Sequence, residues 1–222
     1  MTNQEILAMV DHTLLKADAK KEDIKRICEE AMANNTASIC INPGFIEYAV
    51  GILGDKIPVC TVIGFPLGAM TTAAKVFEAK DAIEKGAQEV DMVINISRAK
   101  DADWEYITEE IRQIKQACGD KILKVIIETC LLTDEEKIAL CKCVTDAGAD
   151  FIKTSTGFST AGATFHDVEL FAKYCEGKCK IKAAGGIRTR DDMEKFIALG
   201  ADRLGTSSAI KILNSEKTDG GY

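Results

Sequence analysis

The sequence predicts an α/β fold, a (β/α)8 barrel with a short extra helix at its N-terminus. Three observations carry that expectation. Eight short β-rich runs recur along the chain, and amphipathic segments lie between them. Alternating strand and helix implies a parallel sheet. Eight such units in 222 residues suit a closed barrel, with an open doubly wound sheet as the alternative. A single domain is expected over 1–222, with a flexible tail at about 215–222.

A helix at 2–9 leads into the first strand, MVDHTLL (9–15), which is short and the weakest of the eight. The others are SICI (38–41), PVCTVIGF (58–65), EVDMVINI (89–96), LKVIIET (123–129), FIKTST (151–156), KIKAAG (180–185) and RLGTS (203–207). Helical periodicity marks 20–34, 72–86, 104–119, 133–148 and 191–200. Several of these close on glycine, a usual helix stop. TDEE and RDDME place acids in a first turn, where the helix dipole favours them.

Strand side chains alternate between the two faces of a barrel. With Val90, Met92 and Ile94 outward, Asp91 and Asn95 face the lumen. The same rule sends Asp11, Glu128, Lys153 and Lys182 inward. A purely structural interior is mostly branched aliphatic, and buried charges must be paired or functional. Lys153 and Lys182 lie on consecutive strands, about 4.8 Å apart. Mutual repulsion and burial both work to lower a lysine pKa, so the second lysine is expected to keep the first one neutral. A neutral lysine attacks carbonyls and forms a Schiff base. Asp91, two strands from Lys153, is placed to orient water or shuttle protons. The chemistry expected is aldol cleavage or condensation without a metal or cofactor.

Two loops suggest a phosphate site. AAGGIRTRDD (183–192) offers Gly185, Gly186 and Arg188, and GTSSAI (205–210) offers Gly205, Ser207 and Ser208. Barrels often bind phosphate with the loops after strands seven and eight. Simple turns with serine caps are the alternative for each loop taken alone.

Other classes are disfavoured. The net charge is −7, and no Lys/Arg cluster with interleaved aromatics points to nucleic acid. No apolar run approaches the roughly 18 residues of a membrane span. The start lacks the features of a signal peptide, so a cytoplasmic location is expected. Nine cysteines are scattered, no CxxC recurs, and His12 and His166 stand alone, so reduced thiols are expected rather than a zinc site. Cys130 follows a predicted strand and is positioned to approach a site.

DHTLLK (11–16), VCTVIGFPLG (59–68), EVDMVIN (89–95), KVIIET (124–129), FIKTSTGF (151–158), KAAGGIRT (182–189) and GTSS (205–208) resemble, in order, the strand-end motifs of the class I deoxyribose-phosphate aldolases. The resemblance covers nearly the whole chain. It implies a (β/α)8 TIM barrel that reversibly cleaves 2-deoxy-D-ribose 5-phosphate to acetaldehyde and D-glyceraldehyde 3-phosphate. It implies Lys153 as the Schiff-base lysine, Lys182 as its pKa-lowering neighbour and Asp91 as the proton-transfer carboxylate. Gly157, Gly185, Gly186, Arg188, Gly205, Ser207 and Ser208 match phosphate-binding segments. Asp11 and Cys40 match site-lining positions, and Tyr222 matches a C-terminal tyrosine implicated in proton transfer. Some members carry a basic residue directly after TSTG, where this chain has Phe158. The expected partner is a small phosphorylated sugar, not nucleic acid or membrane, and a homodimer is the family-level expectation. The lysine pair speaks against a transaldolase, and a non-catalytic phosphometabolite sensor would keep the loops without needing the pair.

Overall fold

The structure is a computed structural model that describes residues 1–215. Its eight parallel strands close into a barrel in sequence order, β8 pairing back onto β1. The strands are β1 (Val10–Leu14), β2 (Ser38–Ile41), β3 (Val59–Ile63), β4 (Glu89–Val93), β5 (Ile122–Ile126), β6 (Phe151–Lys153), β7 (Lys180–Ala184) and β8 (Arg203–Thr206). The weakest expected strand, β1, is present and joins the two ends of the sheet.

Helices cover the outside: α1 (Asn3–Leu7), α2 (Lys21–Asn34), α3 (Ile46–Leu53), α4 (Thr72–Glu84), α5 (Ile96–Lys100), α6 (Trp104–Cys118), α7 (Asp134–Asp146), α8 (Phe165–Tyr174), α9 (Arg190–Ala198) and α10 (Ala209–Ser215). The acids in the first turns act as caps. Thr133 with Glu136, and Thr189 with Asp192, form reciprocal capping boxes that satisfy free N–H groups. Four helices, α3, α5, α8 and α10, were not expected from periodicity. The sequence of α3, IEYAVGIL, is nearly all apolar and shows no polar face, and α5 and α10 are too short to show a period.

Most expected strands ran too far at their C-terminal ends. Residues 64–65, 94–96, 127–129 and 154–156 leave the strands and begin the loops at the barrel mouth. Asn95 therefore does not face the lumen. Its side-chain oxygen accepts from the Arg98 N–H at 3.3 Å and caps α5.

The apolar core lies between strands and helices. Val90, Met92, Leu123, Val125 and Ile152 pack outward against Ile107, Ile111 and Ile114 of α6 and their neighbours. Ile39, Ile41 and Val59 pack against Ile24, Ile27 and Leu53. Inside the barrel a small apolar cluster of Leu15, Cys40, Cys60 and Val62 lies beside buried charged side chains.

The ion pair between α4 and α6 is wholly buried in the helix layer. Lys75 of α4 donates to Glu110 of α6 at 2.9 Å, and both side chains are fully buried. Burial works to hold the Lys75 ammonium below its usual range, and Glu110 opposes that. Lys75→Met leaves Glu110 buried without its cation and is expected to cost about 3–5 kcal/mol. The double variant Lys75→Met/Glu110→Met should recover much of this. Urea unfolding of the three proteins checks it, and a single variant as stable as the parent would show the pair to be dispensable.

Candidate active site

Strand register brings the charges together. β4, β5, β6, β7, β8 and β1 are neighbours around the barrel, and they pair Asp91 with Lys124, Lys153 with Lys182, Lys182 with Arg203, and Asp11 with Gly205. The floor is Phe151, whose ring is approached by the cations of Lys124, Lys180 and Arg203 at 6.0, 5.7 and 5.5 Å.

Asp91 is the centre. Its Oδ2 accepts from both Lys153 Nζ and Lys182 Nζ, each at 2.7 Å. Its Oδ1 accepts from Lys124 Nζ at 3.0 Å and from the Cys60 thiol at 3.1 Å. Lys182 also donates to Asp11 Oδ2, and Asp11 Oδ1 accepts from Arg203 at 2.5 Å and from Ser38 Oγ at 2.7 Å. Below, Lys124 donates to Glu89 at 2.5 Å, and Arg203 reaches the same carboxylate at 3.2 Å. Thus Lys124, Lys153, Lys182 and Arg203 share Asp11, Glu89 and Asp91, so the cations outnumber the carboxylates by one. Lys153 alone among the four has a single carboxylate partner in this set.

Repulsion between ammonium groups does not decide the state of Lys182. Burial does work against the Lys182 ammonium, but Asp11 and Asp91 outweigh it and hold Lys182 above its usual range. The carboxylates lie between the lysines and replace repulsion with shared attraction. Burial likewise opposes charge on Asp91, and Lys124, Lys153 and Lys182 outweigh it, holding this carboxyl well below its usual range.

A cavity of about 390 Å³ opens above Lys153 at the C-terminal ends of the strands. Gly157, Gly185, Gly186, Arg188, Gly205, Ser207 and Ser208 all line it, together with Lys16, Leu15 and Phe158. The loop after β6 lies on the loop after β7. A Cβ on Gly162 would come within 2.4 Å of the Gly185 carbonyl carbon, and the Ala163 N–H donates to Ala184 O and Gly185 O at 3.0 and 3.1 Å. Gly205 is bare for a different reason: a Cβ there would sit 2.9 Å from Ala184 Cβ and 3.1 Å from Lys182 Cε. A larger depression of about 850 Å³, lined by Trp104, Tyr106 and Cys143 among others, lies on the outer helix surface and touches none of these residues.

The remaining expected residues fall elsewhere. Asp11, Asp91, Lys182 and Cys40 are buried beneath the cavity rather than on its wall. Cys40 lies beside Cys60 and Asp91, with their ligand-type atoms within 4.8 Å of one another. Those carboxylate oxygens already accept from ammonium groups, so the charge a cation would need is compensated. Glu128 does not join the lysines: it leaves the end of β5 with φ 57° and accepts from Thr156 Oγ1 and N–H. The Cys130 thiol meets Ser159 at 3.3 Å instead of the cavity. His12 and His166 pair with Glu30 and Asp134. Tyr222 lies outside the described residues.

Lys124, Glu89, Arg203, Ser38 and Cys60 were not singled out from the sequence. A signal existed for two of them. If Leu123 and Val125 point outward, Lys124 points inward, and Glu89 stands two residues before Asp91 on the same face.

Comparison with known proteins gives this geometry a family. A model of the DeoC/LacD family aldolases matches residues 5–214. The chain belongs to that family. Curated relatives named deoxyribose-phosphate aldolase include one from Clostridium botulinum (strain Eklund 17B / Type B), 56% identical over 99% of this chain and 100% of that one. Another, from Streptococcus agalactiae serotype Ia, is 58% identical over 100% and 99%. Among solved structures, a putative deoxyribose-phosphate aldolase from Coccidioides immitis superposes with TM-score 0.95 at 39% identity, covering 98% of this chain and 87% of that one. An Aeropyrum pernix enzyme described as tetrameric superposes at 0.89 and 32% identity, covering 98% and 93%. This aldolase is therefore a family member along its whole barrel, and its charged interior belongs to a lyase.

Two outcomes follow from the buried network of the aldolase. Lys124→Met removes a cation from Asp91 and Glu89 at once and is expected to destabilise by about 3–5 kcal/mol, measured by urea unfolding. The second concerns pH. Asp11 is held below the usual carboxylate range: burial opposes its charge, and Lys182, Lys124 and Arg203 outweigh burial. Stability from such depressed carboxyls is complete above the unfolded value near about 4 and is lost as pH falls below it toward the folded values. Each group contributes a slope of up to about 1.4 kcal/mol per pH unit in that window. Unfolding free energies should therefore fall steeply between pH 4 and pH 2.5, and less steeply in Asp11→Asn. Parallel slopes in the two proteins would contradict it.

Proposed function

We propose that the protein is a class I deoxyribose-phosphate aldolase, in which Lys153 is the nucleophile, Asp91 transfers protons and Lys182 positions Asp91. The supporting observation is a single one: Asp91 Oδ2 contacts both lysine amines at 2.7 Å, directly beneath a cavity lined by glycine, serine and arginine loops.

The chemistry runs as follows. Neutral Lys153 adds through Nζ to the C1 aldehyde of 2-deoxy-D-ribose 5-phosphate, and loss of water leaves a protonated imine. That cation withdraws electrons. As the C3 hydroxyl gives up its proton, the C2–C3 bond breaks and its electron pair forms the enamine across C1–C2. D-Glyceraldehyde 3-phosphate leaves. A proton is returned to C2, and water releases acetaldehyde and regenerates the amine. Two features favour Lys153 over its neighbours. It faces the cavity, and its neutral form breaks only one ion pair while bringing the buried cations and carboxylates into balance. Lys182, held charged by two carboxylates, keeps the Asp91 oxygen fixed between the amines.

The loops after β7 and β8 are proposed to take the 5-phosphate, with Gly157 beside them. No helix among the described residues is long and apolar enough to cross a membrane. A cytoplasmic enzyme is proposed, working as a homo-oligomer with a homodimer as the expected state, which light scattering would measure.

The test is reduction with borohydride in the presence of 2-deoxy-D-ribose 5-phosphate, followed by mass spectrometry. A reduced two-carbon adduct on Lys153, absent from Lys153→Ala, is the expected result. Asp91→Asn should slow turnover by about 10²–10⁴-fold. Folded protein that yields no adduct and no acetaldehyde would overturn the proposal.

A further inference from the structure

Cations are scarce around the cavity. Among the described residues that line it, Lys153, Arg188 and Lys16 carry positive charge. Lys153 is committed to Asp91 beneath. Arg188 rises from the loop between β7 and α9 and is exposed. Lys16 lies just past the end of β1, on the other side of β8 from Arg188.

Topology puts Lys16 beside the serine loop. β1 pairs with β8 in register, His12 opposite Thr206, so the chain leaving β1 runs next to the chain leaving β8 at Ser207 and Ser208. Its backbone is held in place. The Lys16 carbonyl accepts from the Ala19 N–H at 3.2 Å and from Asn42 Nδ2 at 3.3 Å, and the preceding Leu15 is buried in the barrel. The side chain is exposed and forms no ion pair with a described residue. An anchored backbone, a flexible stem and an unclaimed ammonium suit a phosphate contact, because lysine binds phosphate as a mobile point charge.

The β6 side of the cavity offers the reverse. Phe158 follows Gly157 directly, is 54% exposed, and packs edge-on against Phe65 with ring centroids 5.3 Å apart. A phosphate dianion there meets apolar carbon. The charge asymmetry favours the side where β7, β8 and β1 converge.

We propose that Lys16 is a phosphate-binding residue, the second cation of the subsite with Arg188, and that it sets the preference for phosphorylated over unphosphorylated aldehydes. This rests on the phosphosugar reading above. Lys16 touches the substrate's distal phosphate and none of the reacting atoms, so its effect falls on binding that is uniform between ground and transition states.

The experiment compares 2-deoxy-D-ribose 5-phosphate with unphosphorylated 2-deoxy-D-ribose in the parent, Lys16→Met and Lys16→Arg proteins, with folding checked by circular dichroism. Lys16→Met is expected to lower the ratio of kcat/KM values, phosphorylated over unphosphorylated, by about tenfold, mainly through KM. Lys16→Arg should recover most of the ratio, and added salt should narrow the gap between parent and Lys16→Met. An unchanged ratio in Lys16→Met, with the parent cleaving the phosphorylated sugar, overturns this inference alone. A fall shared equally by both substrates also overturns it, since a structural or chemical role would act on both. A parent protein that cleaves neither sugar overturns the aldolase reading and this inference with it.

Discussion

Everything at this site depends on one electrostatic constraint: ionic side chains fill the interior of a barrel where aliphatic side chains usually pack. Asp11, Glu89 and Asp91 are enclosed by Lys124, Lys153, Lys182 and Arg203, and all but the last are almost wholly removed from water. Charges so buried are tolerable only when each lone pair and proton finds a partner. The network pairs each of these charges by drawing on six strands, so it also ties their relative positions. One cation is in excess, and the amine with a single carboxylate partner is the one beneath the open cavity.

Lysine proximity thus acts differently from the simple picture of two like charges pushing each other neutral. Asp91 stands between the amines and bonds to both. Lys182 is stabilised in its charged form by Asp11 and Asp91. Both amines therefore meet on one Asp91 oxygen atom, a single hydrogen bond from each. Lys124 and Cys60 hold the other oxygen and keep the carboxylate from turning.

The mouth of the barrel is divided in the same spirit. Small residues let loops lie on one another where backbone must approach backbone, as at Gly162 against Gly185. Arg188, Ser207, Ser208 and Lys16 make one side polar, and Leu15, Phe65 and Phe158 make the other apolar.

Much of this was legible in the chain alone. Alternation of strand and helix set the fold class, because period 2 and period 3.6 are local properties. The same alternation sent Asp11, Asp91, Lys153 and Lys182 inward, and the order of the loops marked Gly185, Gly186, Arg188, Ser207 and Ser208. Tertiary structure decided what local pattern cannot encode. Which oxygen each lysine meets depends on register between strands up to 171 residues apart in sequence, as for Asp11 and Lys182. Glu128 was misassigned because a strand's end is set by its neighbours' hydrogen bonds, not by its own composition, and two further residues carried it past the ladder. The direction of the Lys182 pKa followed the same logic. Sequence showed two like charges on adjacent strands, but only closure of the barrel brought the carboxylates of β1 and β4 between and beside them, and at Lys182 those two carboxylates together outweigh burial and repulsion.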